Sequence, residues 1–229
     1  MIKTIEKYPI ATLSIVIILM LLVHLDIPNV TIMEARNFIT AREMVQDNNW
    51  ILTTMNGEPR YQKPPLPTWL TAFSGLIFGI NNLFALRLPA ALMVLFLGIF
   101  SYYFSLKLSL SKKNSFRNSL ILVTSFYVFA ILNEAPWDIY THGFMLAGLY
   151  FLFRFFEENK HVWKNAILAA ILIGLSIMCK GPVSLYAVFL PFLISYSPQI
   201  ALKALRSATC LAISVARMRP MTFFLNTLN

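Results

Sequence analysis

The stretch LRLPAALMVLFLGIFSYYFSLKLSLSKKNSFRN, residues 86–118, decides the fold class. From Leu86 to Phe104 it is apolar for long enough to cross a bilayer, since a helix rises ~1.5 Å per residue and the hydrocarbon is ~30 Å thick. It then turns basic, with Lys107, Lys112, Lys113 and Arg117 and no acid. An apolar run that ends in unopposed cations is a membrane span whose basic end stays in the cytoplasm.

The same pattern recurs on either side. Further apolar runs lie at Ile10–Leu25, Ser119–Leu132, Ile139–Phe156 and Ala166–Met178, with a sixth at Val183–Tyr196. The expected fold is therefore all-α, a polytopic integral membrane protein with five or six transmembrane helices. Composition agrees. Of 229 residues, 58% are hydrophobic and 13% charged, against about 45–50% apolar and 25% charged in soluble domains. In such a chain the net charge of +9 orients helices and gives no reason to expect nucleic acid as a partner. Cys179 and Cys210 both fall in apolar stretches, so neither a disulfide framework nor a thiolate metal set is expected. The sequence holds no internal repeat and no Gly-rich phosphate loop.

Orientation follows from the cations. Lys3 and Lys7, the 107–118 segment, and Arg154, Lys160 and Lys164 all belong on the cytoplasmic side. Residues 1–9 form a cytoplasmic tail. No small-residue cleavage site follows Leu25, so residues 10–25 are read as an anchor. An even number of crossings must then separate residues 1–9 from 107–118, which leaves 26–85 as a large external loop. The apolar segment Leu66–Ile80 is interrupted by Pro67, Gly75 and Gly79 and covers only ~22 Å. It is expected to lie in the interface, with Trp69 at headgroup level. Residues 86–196 would hold the remaining spans. In the tail, 197–229, Lys203, Arg206, Arg217 and Arg219 break the pattern.

Function is expected in the external loop. Thr31 opens an amphipathic helix running to about Gln46, with Ala35, Phe38, Ala41 and Val45 on one face and Arg36, Thr40, Glu43 and Asp47 on the other. Glu34 serves equally as the N3 member of a capping box with Thr31 or as a reactive carboxylate. Arg36 is a solvated cation or an anion ligand. A turn at Gly57-Glu58-Pro59 leads to Tyr61 and Lys63, which Pro64, Pro65 and Pro67 hold in a stiff extended segment. Lys63 is either a snorkelling lysine or a phosphate ligand at the membrane face. Asp138 caps the fourth span or supplies a second carboxylate; with His142 it falls short of a metal set, so neither metal nor other cofactor is expected. Lys180-Gly181-Pro182 ends the fifth span on the same side. Cations at headgroup depth beside carboxylates suit a lipid-borne phosphate and an incoming hydroxyl.

At these positions the chain resembles a known family. Glu34-Ala35-Arg36, Ala41-Arg42-Glu43-Met44, Tyr61-x-Lys63-Pro64-Pro65-Leu66, Trp69-Leu70, Phe78-Gly79, Phe84-Ala85-Leu86-Arg87-Leu88-Pro89, Asp138 and Lys180-Gly181-Pro182 occur in the order found in the GT-C membrane glycosyltransferases. The nearest groups are the lipid A aminoarabinose transferases and the protein O-mannosyltransferases. The resemblance implies transfer of a sugar from a polyprenyl-phosphate donor to a glycolipid such as lipid A or to a protein hydroxyl, at the external face of the plasma membrane. It implies that Lys63, Arg36 and Tyr61 line the donor phosphate, that Lys180 lies near it, and that Glu34 and Asp138 are the catalytic carboxylates. The chain departs at Met33, where the family has a second acid, and at Gln62, where the aminoarabinose transferases often have Glu. Its length corresponds to the N-terminal half of such an enzyme, ended early. A transporter or flippase component, and an inactive fragment that binds polyprenyl phosphate, are the competing readings; no charge in the middle of any span speaks against the first. A reporter fused at Asn114 is expected to read cytoplasmic and one at Asn56 external; the reverse would separate the site residues from the external face.

Overall fold

The computed structural model describes residues 8–21, 25–27, 29–108, 111–128, 130, 136–158 and 160–196. The expectations for residues 1–7, for the ends of the first and third runs at 22–24 and 131–132, for Asn133–Ala135 and for the tail 197–229 lie outside them. The chain divides into two units, Met1–Leu185 and Tyr186–Asn229. In the second, the described residues are helical to Tyr196, and Phe192 stacks on Tyr196 at 5.8 Å. All that follows concerns the first.

Its elements run α1 (Pro9–Leu21), α2 (Ile32–Gln46), β1 (Thr54–Met55), β2 (Glu58–Pro59), α3 (Leu66–Phe78), α4 (Leu83–Lys107), α5 (Lys112–Val123), α6 (Pro136–Glu157) and α7 (Val162–Lys180). The protein is a helical, membrane-embedded chain. Among the described residues three helices are long and apolar enough to cross a bilayer: α4, α7 and the part of α6 from Trp137. They match the second, fourth and fifth expected spans. The first run forms the 13-residue α1, and the described part of the sixth is also short. The third differs in register. Ser111 accepts from the Asn114 N–H and starts α5 seven residues before the expected Ser119, and the helix closes at Thr124, whose hydroxyl turns back to the Leu120 carbonyl. The segment expected at the interface is α3, 13 residues and thus ~20 Å long, too short to span.

Packing among the spans depends on close backbone approach. A Cβ on Gly98 of α4 would meet Ile17 and Val123 at 2.9 Å, and one on Gly148 of α6 would meet Ile173 of α7 at 2.8 Å. Lipid offers apolar side chains as good an environment as protein does, so such contacts at small residues are what hold membrane helices together. The core joins Leu13, Ile17 and Leu21 of α1 to Ala90, Ala91 and Val94 of α4 and to Val123, Ile139 and Tyr140. Inside α4, Pro89 has no N–H for the Ala85 carbonyl, and Ser74 of α3 supplies the missing donor at 2.5 Å. That bond ties α3 to α4.

Helix α2 begins and ends where expected, but its buried face is turned. Glu34, Asn37, Thr40, Phe38, Ala41 and Met44 face inward. Thr40 was expected on the outer face; its burial corrects that reading, and the reason is polar pairing from distant segments. Asn37 donates to Thr71 at 2.9 Å and accepts from Thr68 at 2.8 Å, which pins α2 to α3. Arg87 of α4 grips both oxygens of Glu34, at 2.9 and 2.8 Å, and donates to the Leu25 carbonyl at 2.9 Å. Both side chains are at most 3% exposed. Breaking a buried pair strands a charge, whereas replacing both members with apolar groups is often neutral. Arg87→Met is expected to destabilise the fold by about 3–5 kcal/mol, and Glu34→Met with Arg87→Met to recover most of it. Thermal unfolding in detergent, followed by circular dichroism, measures both.

Candidate functional site

Between α2 and the start of α6 the sequence makes a small device. Asn56-Gly57 sits between β1 and β2 with φ of 57° and 78°, so two residues in the left-handed region close an antiparallel hairpin in which Met55 faces Glu58. Glu43 of α2 anchors it, its carboxylate accepting from the Thr54 hydroxyl at 2.6 Å and from the Asn56 and Gly57 amides. Past β2 the pairing extends by one residue: the Arg60 amide donates to the Thr53 carbonyl at 2.8 Å, and the Thr53 hydroxyl donates to the Arg60 carbonyl at 2.6 Å. Held there, Arg60 reaches back to α2, donating to the Thr40 hydroxyl at 2.6 Å and to the Arg36 carbonyl. The turn expected at Gly57-Glu58-Pro59 is thus a hairpin, and its Asn-Gly signal lies one residue upstream.

The hairpin, Met33 and Arg36 of α2, Gln62, Lys63 and Trp137 of α6 enclose a cavity of about 250 Å³. Sites for drug-sized ligands run to roughly 300–1,000 Å³, so this one suits a head group rather than a whole lipid. Its lining carries three cations, Arg36, Arg60 and Lys63, against one acid, Glu58. Among the described residues none of the three cations is in a salt bridge. Lys63 lies over the Trp137 ring, 4.4 Å from its centroid, with Arg60 5.9 Å from the same ring. Partial burial and then the nearby Lys180 lower the Lys63 ammonium below the usual lysine range, while Asp138 opposes them. Burial and then Arg36 lower Arg60 in the same way. Cations this close repel one another, and an anion among them would relieve that repulsion.

Beside the cavity, Asp138 in the first turn of α6 pairs with Lys180 at the last residue of α7. Gly181 follows at φ 74°, its N–H on the Ile177 carbonyl, and ends α7 where Lys180 meets that carboxylate. Of the expected residues, Arg36 and Lys63 share the cavity, and Asp138 and Lys180 form one pair whose charges act on Lys63. Glu34 stands apart: it closes the capping box with Thr31, is 1% exposed, and gives both oxygens to Arg87. Tyr61 is 63% exposed and is not among the lining residues. Sequence reading missed Arg60, Trp137 and the anchor Glu43. Asn56-Gly57 could have revealed the hairpin, and with it Arg60. Among the described residues no three His, Cys, Asp or Glu side chains gather as metal ligands.

With this geometry in place, comparison with known proteins is informative. Residues 62–222 match the dolichyl-phosphate-mannose-protein mannosyltransferase family. The undecaprenyl phosphate-alpha-4-amino-4-deoxy-L-arabinose arabinosyl transferase of Wigglesworthia glossinidia brevipalpis is 30% identical over 163 residues, which cover 70% of this chain and 29% of that protein. A second arabinosyl transferase of that name, from Proteus mirabilis (strain HI4320), is 27% identical over 203 residues, covering 82% and 36%. The chain thus spans about a third of the length of these relatives. The crystal structure of ArnT from Cupriavidus metallidurans in the apo state superposes with a TM-score of 0.71 at 20% identity, covering 89% of this chain and 37% of that one. The fold is shared.

The hairpin's dependence on Glu43 is directly measurable. Glu43→Ala removes a charged acceptor worth about 1.5–3 kcal/mol. Amide exchange at Asn56 and Gly57 is then expected to quicken tenfold or more, with exchange in α4 unchanged.

Proposed function

This chain belongs to the dolichyl-phosphate-mannose-protein mannosyltransferase family, and we propose that it forms the donor-phosphate site of a membrane glycosyltransferase acting on a polyprenyl-phosphate sugar. One observation carries the reading: Arg36, Arg60 and Lys63 converge on a head-group-sized cavity with no carboxylate paired to any of them among the described residues. The names of the arabinosyl transferase relatives favour undecaprenyl phosphate as the lipid and an aminoarabinose as the sugar. The acceptor is a hydroxyl of an envelope glycolipid such as lipid A, or of a protein, and the reaction takes place at the external face of the plasma membrane.

In this mechanism the donor phosphate sits among the three cations. The acceptor oxygen attacks the anomeric carbon, the bond from that carbon to the phosphate oxygen breaks, and the proton passes to the Asp138 carboxylate, which Lys180 holds in place. Charge grows on the leaving phosphate as the bond breaks, and fixed cations stabilise that charge most where it is greatest. A single displacement inverts the anomeric centre. Glu34, occupied by Arg87, serves the site by fixing α2 and hence Arg36. Tyr61, exposed at the rim, is left to the lipid surface or the sugar.

Because the chain spans about a third of its relatives, the test reads binding. Lys63→Ala is expected to lower retention of radiolabelled undecaprenyl phosphate in nanodiscs by about tenfold, one lost charge-assisted contact, with membrane insertion intact. Equal retention would overturn the assignment. The ammonium must be protonated to hold an anion, so retention is expected to fall as pH rises through the lowered Lys63 value. In Lys63→Arg, whose guanidinium stays charged, that fall moves to higher pH.

A further inference from the structure

Lys63 has a carboxylate in its neighbourhood and does not pair with it. Asp138 acts on it electrostatically, yet the ammonium lies 4.4 Å from the centroid of Trp137, the residue next to Asp138 in the chain. Trp137 is 2% exposed, so its ring is a fixed wall rather than a mobile cover. The segment after Lys63 is equally fixed, because Pro64 and Pro65 lead straight into α3, whose first turn holds Pro67. A stiff backbone thus delivers the ammonium to a stiff ring face, and the ring's negative quadrupole satisfies the cation without neutralising it. Asp138 is meanwhile occupied by Lys180.

We propose that Trp137 is a positioning residue, which holds the Lys63 ammonium off Asp138 and so keeps the cavity cationic for its anion. The proposal rests on the phosphate-site reading above and adds to it what prevents the site from neutralising itself. The charges that act on Lys63 are Arg36 from α2, Arg60 from the hairpin, Asp138 from α6 and Lys180 from α7; Glu58 lines the same cavity, and His142 on α6 faces Asp138 and Lys180. Asp138 is the acid of this set already engaged with a lysine. With the ring removed, Lys63 exchanges with Lys180 at that carboxylate, and the cavity loses one of its three cations to an internal pair. The Trp137 indole N–H, buried without a partner among the described residues, gives the substitutions a built-in control. Phenylalanine keeps an aromatic face while losing the N–H with the five-membered ring; leucine loses the aromatic face as well.

Two readouts test this. The first is retention of undecaprenyl phosphate in nanodiscs. Trp137→Phe is expected to stay within about threefold of the parent, and Trp137→Leu to lose about tenfold, the worth of one free cation. Adding Asp138→Asn to Trp137→Leu is expected to restore retention, because the competing carboxylate is gone. The second needs no lipid. Reductive 13C-methylation makes the Lys63 amine visible by NMR, and its titration midpoint is expected to move up in Trp137→Leu, to stay near the parent's in Trp137→Phe, and to fall back in the double variant. A Phe variant as damaged as Leu, a double variant without recovery, or an unmoved Lys63 midpoint overturns the proposal. If the parent retains no undecaprenyl phosphate but the midpoint still moves as described, the phosphate reading fails and the positioning role of Trp137 stands.

Discussion

Glu34 and Arg87 lie 53 residues apart and are buried together where α2 meets α4. Two charges removed from water are tolerated only when their geometry is good and their remaining hydrogen-bonding positions are filled. Both conditions hold. The guanidinium meets the carboxylate through two nitrogens and caps the Leu25 carbonyl with a third donor, while Thr31 closes the capping box from the other side. The first turn of α2 is thereby fixed to the first turns of a membrane-spanning helix. Everything the loop offers is placed from that point: Arg36 is two residues along α2, Thr40 one turn further, and Glu43, anchor of the hairpin, just beyond.

The site shows how a short chain segment assembles a cluster of like charges. The three cations come from α2, the hairpin and the proline-rich segment, and two of them are held by something other than an opposite charge. Arg60 is held by a carbonyl and a hydroxyl, and Lys63 by an aromatic face. Such restraints spend little of a cation's capacity to bind an anion, whereas a carboxylate partner would spend nearly all of it. Asp138, the carboxylate whose charge acts on Lys63, is engaged by Lys180. The result is a cavity whose three cations have no carboxylate paired to them among the described residues.

How much of this was legible depended on whether the signal was local. Alternation of apolar runs and cations located α4, α6 and α7, because span length and charge are properties of contiguous sequence. The start of α2 could be read from Thr31 and Glu34, a capping box four residues long. Its buried face could not, since Asn37 and Thr40 point inward only because Thr68, Thr71 and Arg60 wait there with partners. Glu34 illustrates the same limit: a cap by spacing, a candidate base by resemblance, and in the fold the partner of an arginine 53 residues away. Lys63 was found from its prolines, but Arg60 was missed because Asn56-Gly57 was not read as a hairpin turn, and Trp137 because a tryptophan before a membrane helix reads as an interface anchor.

The most direct measurement of the central claim is an experimental structure of this chain in a lipid nanodisc with undecaprenyl phosphate bound. The account predicts the phosphate inside the cavity, its oxygens within hydrogen-bonding reach of Arg36, Arg60 and Lys63, with Lys63 still resting on Trp137. A phosphate lodged elsewhere, with that cavity left to solvent, would contradict it.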